Sequence, residues 1–335
     1  MTPIRRGLVA LVLLAVSACA TTSMVAPAPV PMAGWTAGAA TTRTVGLGLP
    51  GGARLADGVR FAGGVEIVLP TDSPLHSLSD FKLVDDAHGF VSVTDAGDLV
   101  RGRLTLNSQG RLTGVSGLQY RRLTLTDGQP ITEKFDGDAE GLLVTDGGDL
   151  FISFERNHRI WNYGPVNAPH ARPTVVRHPD HAFPLNDGME GISDTHDGGW
   201  RVTGENGGVW DCVSAACRTV VAPPTTPLAD SDYRITGMDR APTGGGYFVV
   251  QRTYRPPLDV RAQVRRMDAA GALGPVLAEL KLPGTTDNFE GIAAVAHAGG
   301  TRLYILSDDN ANPAQRTLLL AFDVRDREYE LGLRN

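Results

Sequence analysis

The sequence predicts an all-β fold, a six-bladed propeller with five blades as the alternative count, preceded by an N-terminal signal segment and a flexible tether. Three observations point there. A short pattern recurs at a spacing near fifty residues, the signature of a propeller or array. Turn formers are abundant, with 40 glycines and 22 prolines among 335 residues. No long stretch repeats apolar residues at helical spacing, and the apolar runs are short and end in Gly, Asp or Asn.

The recurring unit is a pair of positions. Glu140-Gly141-Leu142 leads, 15 residues on, to Glu155, and Glu190-Gly191-Ile192 leads over the same distance to Glu205. Glu290-Gly291-Ile292 leads over 18 residues to Asp308. Two weaker copies run from Thr236-Gly237-Met238 to Gln251-Arg252 and from Ser79-Asp80-Phe81 to Asp95. The first positions lie 61, 50, 46 and 54 residues apart. Each interval between partners holds two strands of about six residues and a tight turn. In an antiparallel hairpin the start of the first strand and the end of the second share one edge. Glu140 and Glu155, Glu190 and Glu205, and Glu290 and Asp308 are therefore expected as neighbours, and radial blades would bring them all to one mouth of a central channel.

The remaining segments fill in the propeller. Residues 64–69 read as a strand, and the long interval from 79 to 140 carries extra strand-like pieces at 101–106 and 112–125. Residues 317–323 and 328–331 read as closing strands. Five internal hairpins plus one blade of terminal strands would make six, and closure removes exposed sheet edges.

The N-terminus reads as a targeting segment. Arg5-Arg6 precedes an apolar run from Gly7 to Val16 and then Ser17-Ala18-Cys19. The run is too short to span a membrane. Residues 16–19 resemble a bacterial lipobox, which assigns 1–18 as signal peptide, Cys19 as the lipidated residue and 19–40, rich in Ala, Pro and Thr, as tether. Ala20 after the cysteine suggests the periplasmic side of the outer membrane; a plain secretory signal is the alternative. Cys212 and Cys217 flank a hairpin tip, where an exported chain tolerates a disulfide. Two thiols alone make half a zinc site. The net charge of −6 argues against non-specific nucleic-acid binding. The expected molecule is a monomer that meets a membrane only through its lipid.

Crowded carboxyl groups raise one another's pKa or recruit a cation. Glu140, Glu190, Glu205, Glu290, Asp308 and Asp309 are the candidate ligands, with Asp95 and Asp138 nearby. Asn206, Asn288 and Asn310 offer neutral oxygens in the same loops, and an all-oxygen set suits a hard ion, Ca²⁺ first. Glu155, Arg156, His158 and Arg159 in one loop and Arg252 in another form the candidate catalytic group. Arginine forks match phosphate oxygens, and acids beside arginines suit metal-assisted phosphoester hydrolysis. The same residues have a structural reading: a repeated Glu-Gly can staple one blade to the next, and the arginines can pair with the acids as a solvated ion network. No Gly-x-Ser-x-Gly elbow is present, which disfavours a serine hydrolase. Gly244 to Gly246 read as a hairpin turn rather than a phosphate cradle.

Residues 138–142, 152–160, 288–292 and 306–310 together resemble the family called esterase-like activity of phytase, over about 78–323. The resemblance implies an exported bacterial propeller domain at 41–335 that hydrolyses a small phosphoester or carboxyester. A carboxylesterase or lactonase on the same scaffold, and a non-catalytic binding propeller at the envelope, are the rivals. Ser79 and Thr236 stand where other repeats carry Glu, so a symmetric ring of ligands is not expected.

Overall fold

The computed structural model describes residues 32–255 and 259–325. Three short strands and one long one come first: β1 (Thr36–Ala37), β2 (Thr41–Thr44), β3 (Ala53–Leu55) and β4 (Val59–Val68). The first repeat forms β5 (Leu78–Val84), β6 (Gly89–Thr94), β7 (Asp98–Leu106) and β8 (Leu112–Arg122). After the helical turn α1 (Lys134–Gly137), the second repeat forms β9 (Ala139–Val144), β10 (Asp149–Phe154), β11 (Arg159–Pro165) and β12 (Thr174–Val176). The third forms β13 (Met189–Asp194), β14 (Trp200–Gly204), β15 (Val209–Cys212) and β16 (Cys217–Val221). The fourth forms β17 (Arg234–Arg240), β18 (Tyr247–Arg255), β19 (Asp259–Met267) and β20 (Leu273–Lys281). The fifth contributes β21 (Asn288–His297), β22 (Gly300–Asp308) and β23 (Thr317–Arg325).

Each repeat is an antiparallel meander, and its first strand is innermost. β5, β9, β13, β17 and β21 pack side by side in a closed ring, each against both of its neighbours. The described residues therefore form a five-bladed propeller, the smaller of the two counts the sequence allowed. The expected sixth blade does not form because the terminal strands complete the fifth. β4 pairs with the outer side of β23, with Val65 opposite Leu319, and β2 pairs with β4. This N-terminal strand closes the ring and covers the edge β23 would otherwise leave open. A single parallel bridge, Gly63 to Leu112, joins blades five and one. The surplus between residues 79 and 140 is taken up by long outer strands, since β7 and β8 run nine and eleven residues.

Packing between blades supplies the core. Phe248, Phe289, Ile292 and Phe322 fill the wedge between blades four and five. Val93, Leu142, Ile152 and Phe154 fill the wedge between blades one and two. Cys212 and Cys217 face each other across β15 and β16 and form the expected disulfide. The signal segment, Cys19, the tether up to residue 31 and the strand read at 328–331 lie outside the described residues. Residues 32–40, expected as tether, lie against the domain instead. Met32 is buried and donates its N–H to Pro169 O at 3.0 Å. The guanidinium groups of Arg101 and Arg121 lie 4.2 and 3.8 Å from the centroid of the Trp35 ring, two cation–π contacts. β1 then adds to the outer edge of β8.

The glycines of the repeat set the spacing of the ring. A Cβ on Gly141 would collide with the carbonyl oxygen of Glu190 in blade three, and one on Gly237 with the carbonyl oxygen of Glu290 in blade five. Gly237→Ala is expected to cost about 1–3 kcal/mol of stability, because backbone rather than a yielding side chain occupies the space. Gly147→Ala, where an added Cβ would meet only Thr145 Oγ1 at an ordinary contact distance of 3.6 Å, should stay within about 0.5 kcal/mol of the parent. Urea unfolding of both variants checks the contrast, and equal midpoints would contradict it.

Candidate active site

The first residue of every repeat is the extra residue of a β-bulge. The pairing of β13 with β14 skips Glu190, that of β21 with β22 skips Glu290, and that of β17 with β18 skips Thr236. The pairing of β5 with β6 skips Ser79, and between β9 and β10 the shift falls at Glu140-Gly141. A bulge bends the strand and re-aims a side chain that regular pleating would hold elsewhere. Here it places the repeated acids at one end of the central axis.

These acids line a cavity of about 180 Å³. Eight carboxyl groups and three cationic side chains surround it: Asp95, Asp138, Glu140, Glu155, Glu190, Glu205, Glu290 and Asp308, against Lys134, Arg156 and Arg252. Two sets of three carboxylates bring one oxygen from each member within 4.8 Å of the others: Asp138, Glu140 and Glu155, and Glu155, Glu190 and Glu205. Glu155 belongs to both. Its Oε1 also accepts the N–H of Gly188 at 3.0 Å, so this glutamate both staples blade two to blade three and faces the cavity. Glu290 Oε1 accepts from Arg252 at 3.0 Å and from Asn288 Nδ2 at 2.8 Å. Arg252 also lies 3.5 Å from Glu205. Asp138 is held by Arg156 and by Lys134, whose ammonium is 2.8 Å away. No side-chain hydrogen bond holds the carboxylates of Glu140 and Glu190 among the described residues.

Electrostatics follow from this crowding. Burial, then the charges of Glu190, Glu290 and Glu155, push Glu140 well above the usual carboxylate range. Burial, then Glu205, Glu155 and Glu290, do the same to Glu190. Burial, with Asp138 and Glu205, pushes Glu155 up to about 8. Burial pushes Glu290 up to about 7, with Arg252 pulling it back. Burial works against the charge of Arg252, but Glu290, Glu205 and Glu190 outweigh it and its pKa rises. Eight acids against three bases leave an excess of negative charge that a divalent cation would reduce. The donors are oxygens only, so the set fits a hard ion of the calcium type.

Behind the acids a buried ion pair ties the blades together. Asp80 stands where three of the other repeats carry the Gly of Glu-Gly and the fourth carries Gly237. Its carboxylate accepts from Lys82 Nζ at 2.8 Å, Leu142 N of blade two at 3.1 Å and Ile292 N of blade five at 3.4 Å. Lys82 donates onward to Ile292 O at 3.1 Å. Both residues are buried, and burial lifts Asp80 to about 6 against the pull of Lys82.

The structure brings Glu140, Glu155, Arg156, Glu190, Glu205, Arg252, Glu290 and Asp308 to the cavity, as expected. It leaves three of the expected residues away from it. Asp309 is saturated: Oδ1 accepts Ser77 N and Ala311 N at 3.0 Å each, and Oδ2 meets His76 Nδ1 at 2.6 Å and Thr317 Oγ1 at 2.8 Å. It fastens blade five to the segment entering blade one and has no free direction for an ion. His158 points its Nε2 at Pro184 O, 2.9 Å away, and packs its ring on Phe183. Arg159 lies buried over the rings of Phe154 and Trp161, both at 4.1 Å, and donates to Asn157 O and Asp136 O. Both begin or precede β11, whose side chains serve packing between blades. Asn206 turns to Leu228 N at 2.7 Å and holds a loop. The cavity also contains Lys134 and Asn186, which carry no repeat signal in the sequence.

Fold and site together define a hydrolase-like β-propeller with an acidic mouth. A model of the family described as phytase-like, esterase-like activity of phytase, matches residues 73–311, and the chain belongs to that family. No curated protein matches it in sequence. Solved structures that are similar include the allergen Mala s 1 of Malassezia sympodialis, at 11% identity over 80% of this chain and 90% of that one, with a TM-score of 0.43. A putative gluconolactonase is 13% identical over 85% of this chain and 99% of that one, with a TM-score of 0.45. A gluconolactonase of Xanthomonas campestris is 11% identical over 86% and 98%, with a TM-score of 0.42.

The raised pKa values set a stability profile. Carboxyls lifted to about 8 and about 7 hold protons in the folded chain that the unfolded chain has already released. Between about pH 4.5 and pH 8 the folded state therefore binds more protons, and in chelator its stability falls as pH rises. A cation that binds the ionised, folded site opposes this loss. Thermal unfolding at pH 5 and pH 8, with chelator or with excess calcium, reads both effects. The expected result is a calcium-induced rise in Tm that is larger at pH 8; a rise of equal size at both values would contradict it.

Proposed function

We propose that the protein is an exported hydrolase of small phosphate esters that works with calcium at its acidic mouth. The observation that carries this reading is the sharing of Glu155 between two adjacent carboxylate triads. Asp138, Glu140, Glu155, Glu190 and Glu205 would hold the cation. Histidine and thiolate, the ligands zinc prefers, are absent from the cavity lining among the described residues. Bound calcium would polarise a phosphoryl oxygen and make water easier to deprotonate.

The chain's own groups supply the rest. Arg156 and Lys134, whose side chains are 29% and 51% exposed, attract an anionic ester to the opening. Glu290, with a pKa of about 7, is poised to exchange a proton with water or with a leaving alkoxide near neutral pH. Arg252 and Asn288 fix the direction of that carboxylate. The lipobox-like residues 16–19 support export and anchoring at the bacterial envelope, as a monomer, and the Cys212–Cys217 disulfide suits an oxidising compartment.

The purified protein is expected to hydrolyse nitrophenyl phosphate or phytate with calcium and to stop in chelator. Glu155→Gln should lower kcat/KM by about 100-fold or more, equivalent to about 2.7 kcal/mol, with unchanged circular dichroism. Turnover of nitrophenyl acetate or lactones in place of phosphate esters, or no turnover at all, would contradict the reading.

A further inference from the structure

The ring of bulge residues is uneven, and the unevenness points to where a ligand's anionic oxygen sits. Glu140, Glu190 and Glu290 present carboxylates, whereas Ser79 and Thr236 present hydroxyls. The two hydroxyls differ. Thr236 Oγ1 donates to Phe289 O of blade five at 2.9 Å, so its proton is already used in joining two blades. Ser79 is 1% exposed, lines the acidic cavity, and its Oγ is buried without a hydrogen-bond partner. A buried hydroxyl left unpaired is costly, and native structures seldom keep one that nothing ever fills.

The surroundings of Ser79 say what fills it. Ser79 is the second residue of β5 and Asp95 follows the end of β6, so both stand at one edge of blade one, where Asp95 N donates to Ser77 O at 3.1 Å. Lys134 Nζ lies 2.7 Å from Asp95 Oδ2 and 2.8 Å from Asp138 Oδ1. An ammonium has three N–H donors, so two are spent on these acids and one is left over. Replacing the Glu of the repeat with Ser removes one negative charge, and here, unlike at Thr236, it leaves a proton donor unpaired. A cation would gain nothing from that exchange, whereas an anionic oxygen gains on both counts.

We propose that Ser79 Oγ and Lys134 Nζ form the seat for an anionic phosphoryl oxygen, so that a ligand lies with its phosphate over blade one and its opposite side toward the carboxylate triads of blades two and three. The identity of that ligand as a substrate rests on the hydrolytic reading above; the seat itself does not. The test uses the full, calcium-loaded protein and inorganic phosphate as the probe, with affinity measured by calorimetry. The wild type should bind phosphate, Ser79→Ala should bind it about 10-fold more weakly, and Ser79→Glu should abolish binding. Calcium affinity of Ser79→Ala should be unchanged. Thr236→Val should lose thermal stability yet bind phosphate as the wild type does. Absence of phosphate binding by the wild type, or wild-type affinity in Ser79→Ala, would overturn the proposal. So would a fall in calcium affinity matching the fall in phosphate affinity, because the hydroxyl would then be a cation ligand. Phosphate binding that depends on Ser79 in a protein without ester turnover would uphold the seat and defeat the catalytic reading.

Discussion

Closure of five inner strands, at a spacing that leaves no room for a side chain at Gly141 or Gly237, is the constraint from which the site follows. At Gly141 and Gly237 the space a methyl group would need is occupied by a carbonyl oxygen of the next blade. With the strands this close, the bulge residue just before each glycine is forced toward the axis, and neighbouring blades deliver their acids to one small volume. The cavity is thus a by-product of blade packing as much as of the acids themselves. Glu155 shows both roles in one side chain, since it accepts a backbone N–H from blade three and still faces both triads.

The arrangement costs free energy when no cation is present. Buried carboxylates repel one another in a medium that screens them poorly, and Arg252 offsets chiefly those nearest it, Glu290 and Glu205. The fold supports the load from behind. Asp80, in place of the repeat glycine, accepts backbone N–H groups from blades two and five and is itself countered by Lys82. Breaking one partner of such a buried pair would leave an uncompensated charge on the axis. The N-terminal strands contribute from the outside, since β4 completes blade five and Trp35 is clamped to blade one.

Much of this was legible in the sequence because the repeat is short and its chemistry is conspicuous. The hairpin spacing placed Glu190 beside Glu205 and Glu290 beside Asp308, and strand register alone was enough for that. The blade count was harder. Residues 317–323 read as closing strands of a sixth, terminal blade, and the pairing of Val65 with Leu319 places them in the fifth. His158 and Arg159 were drawn into the site by adjacency to Glu155. Adjacency in a chain that has just turned says little about direction, and both went to Phe183, Phe154 and Trp161 instead. Asp309 looked like Asp308, but a one-residue step moves it to a loop where four donors saturate it. Lys134 entered through a connection outside the repeat, which no periodicity could flag. The bulges were hidden as well, although a glycine after every strong repeat acid is the trace they leave.

The central claim is that the crowded acids hold protons which a hard cation displaces. Calcium titration calorimetry at pH 7 in two buffers of different ionisation enthalpy measures this directly. The account predicts binding whose heat differs between the buffers, reporting proton release from carboxyls such as Glu155, with a pKa of about 8, and Glu290, with a pKa of about 7. Absence of calcium binding, or binding with the same heat in both buffers, would contradict it.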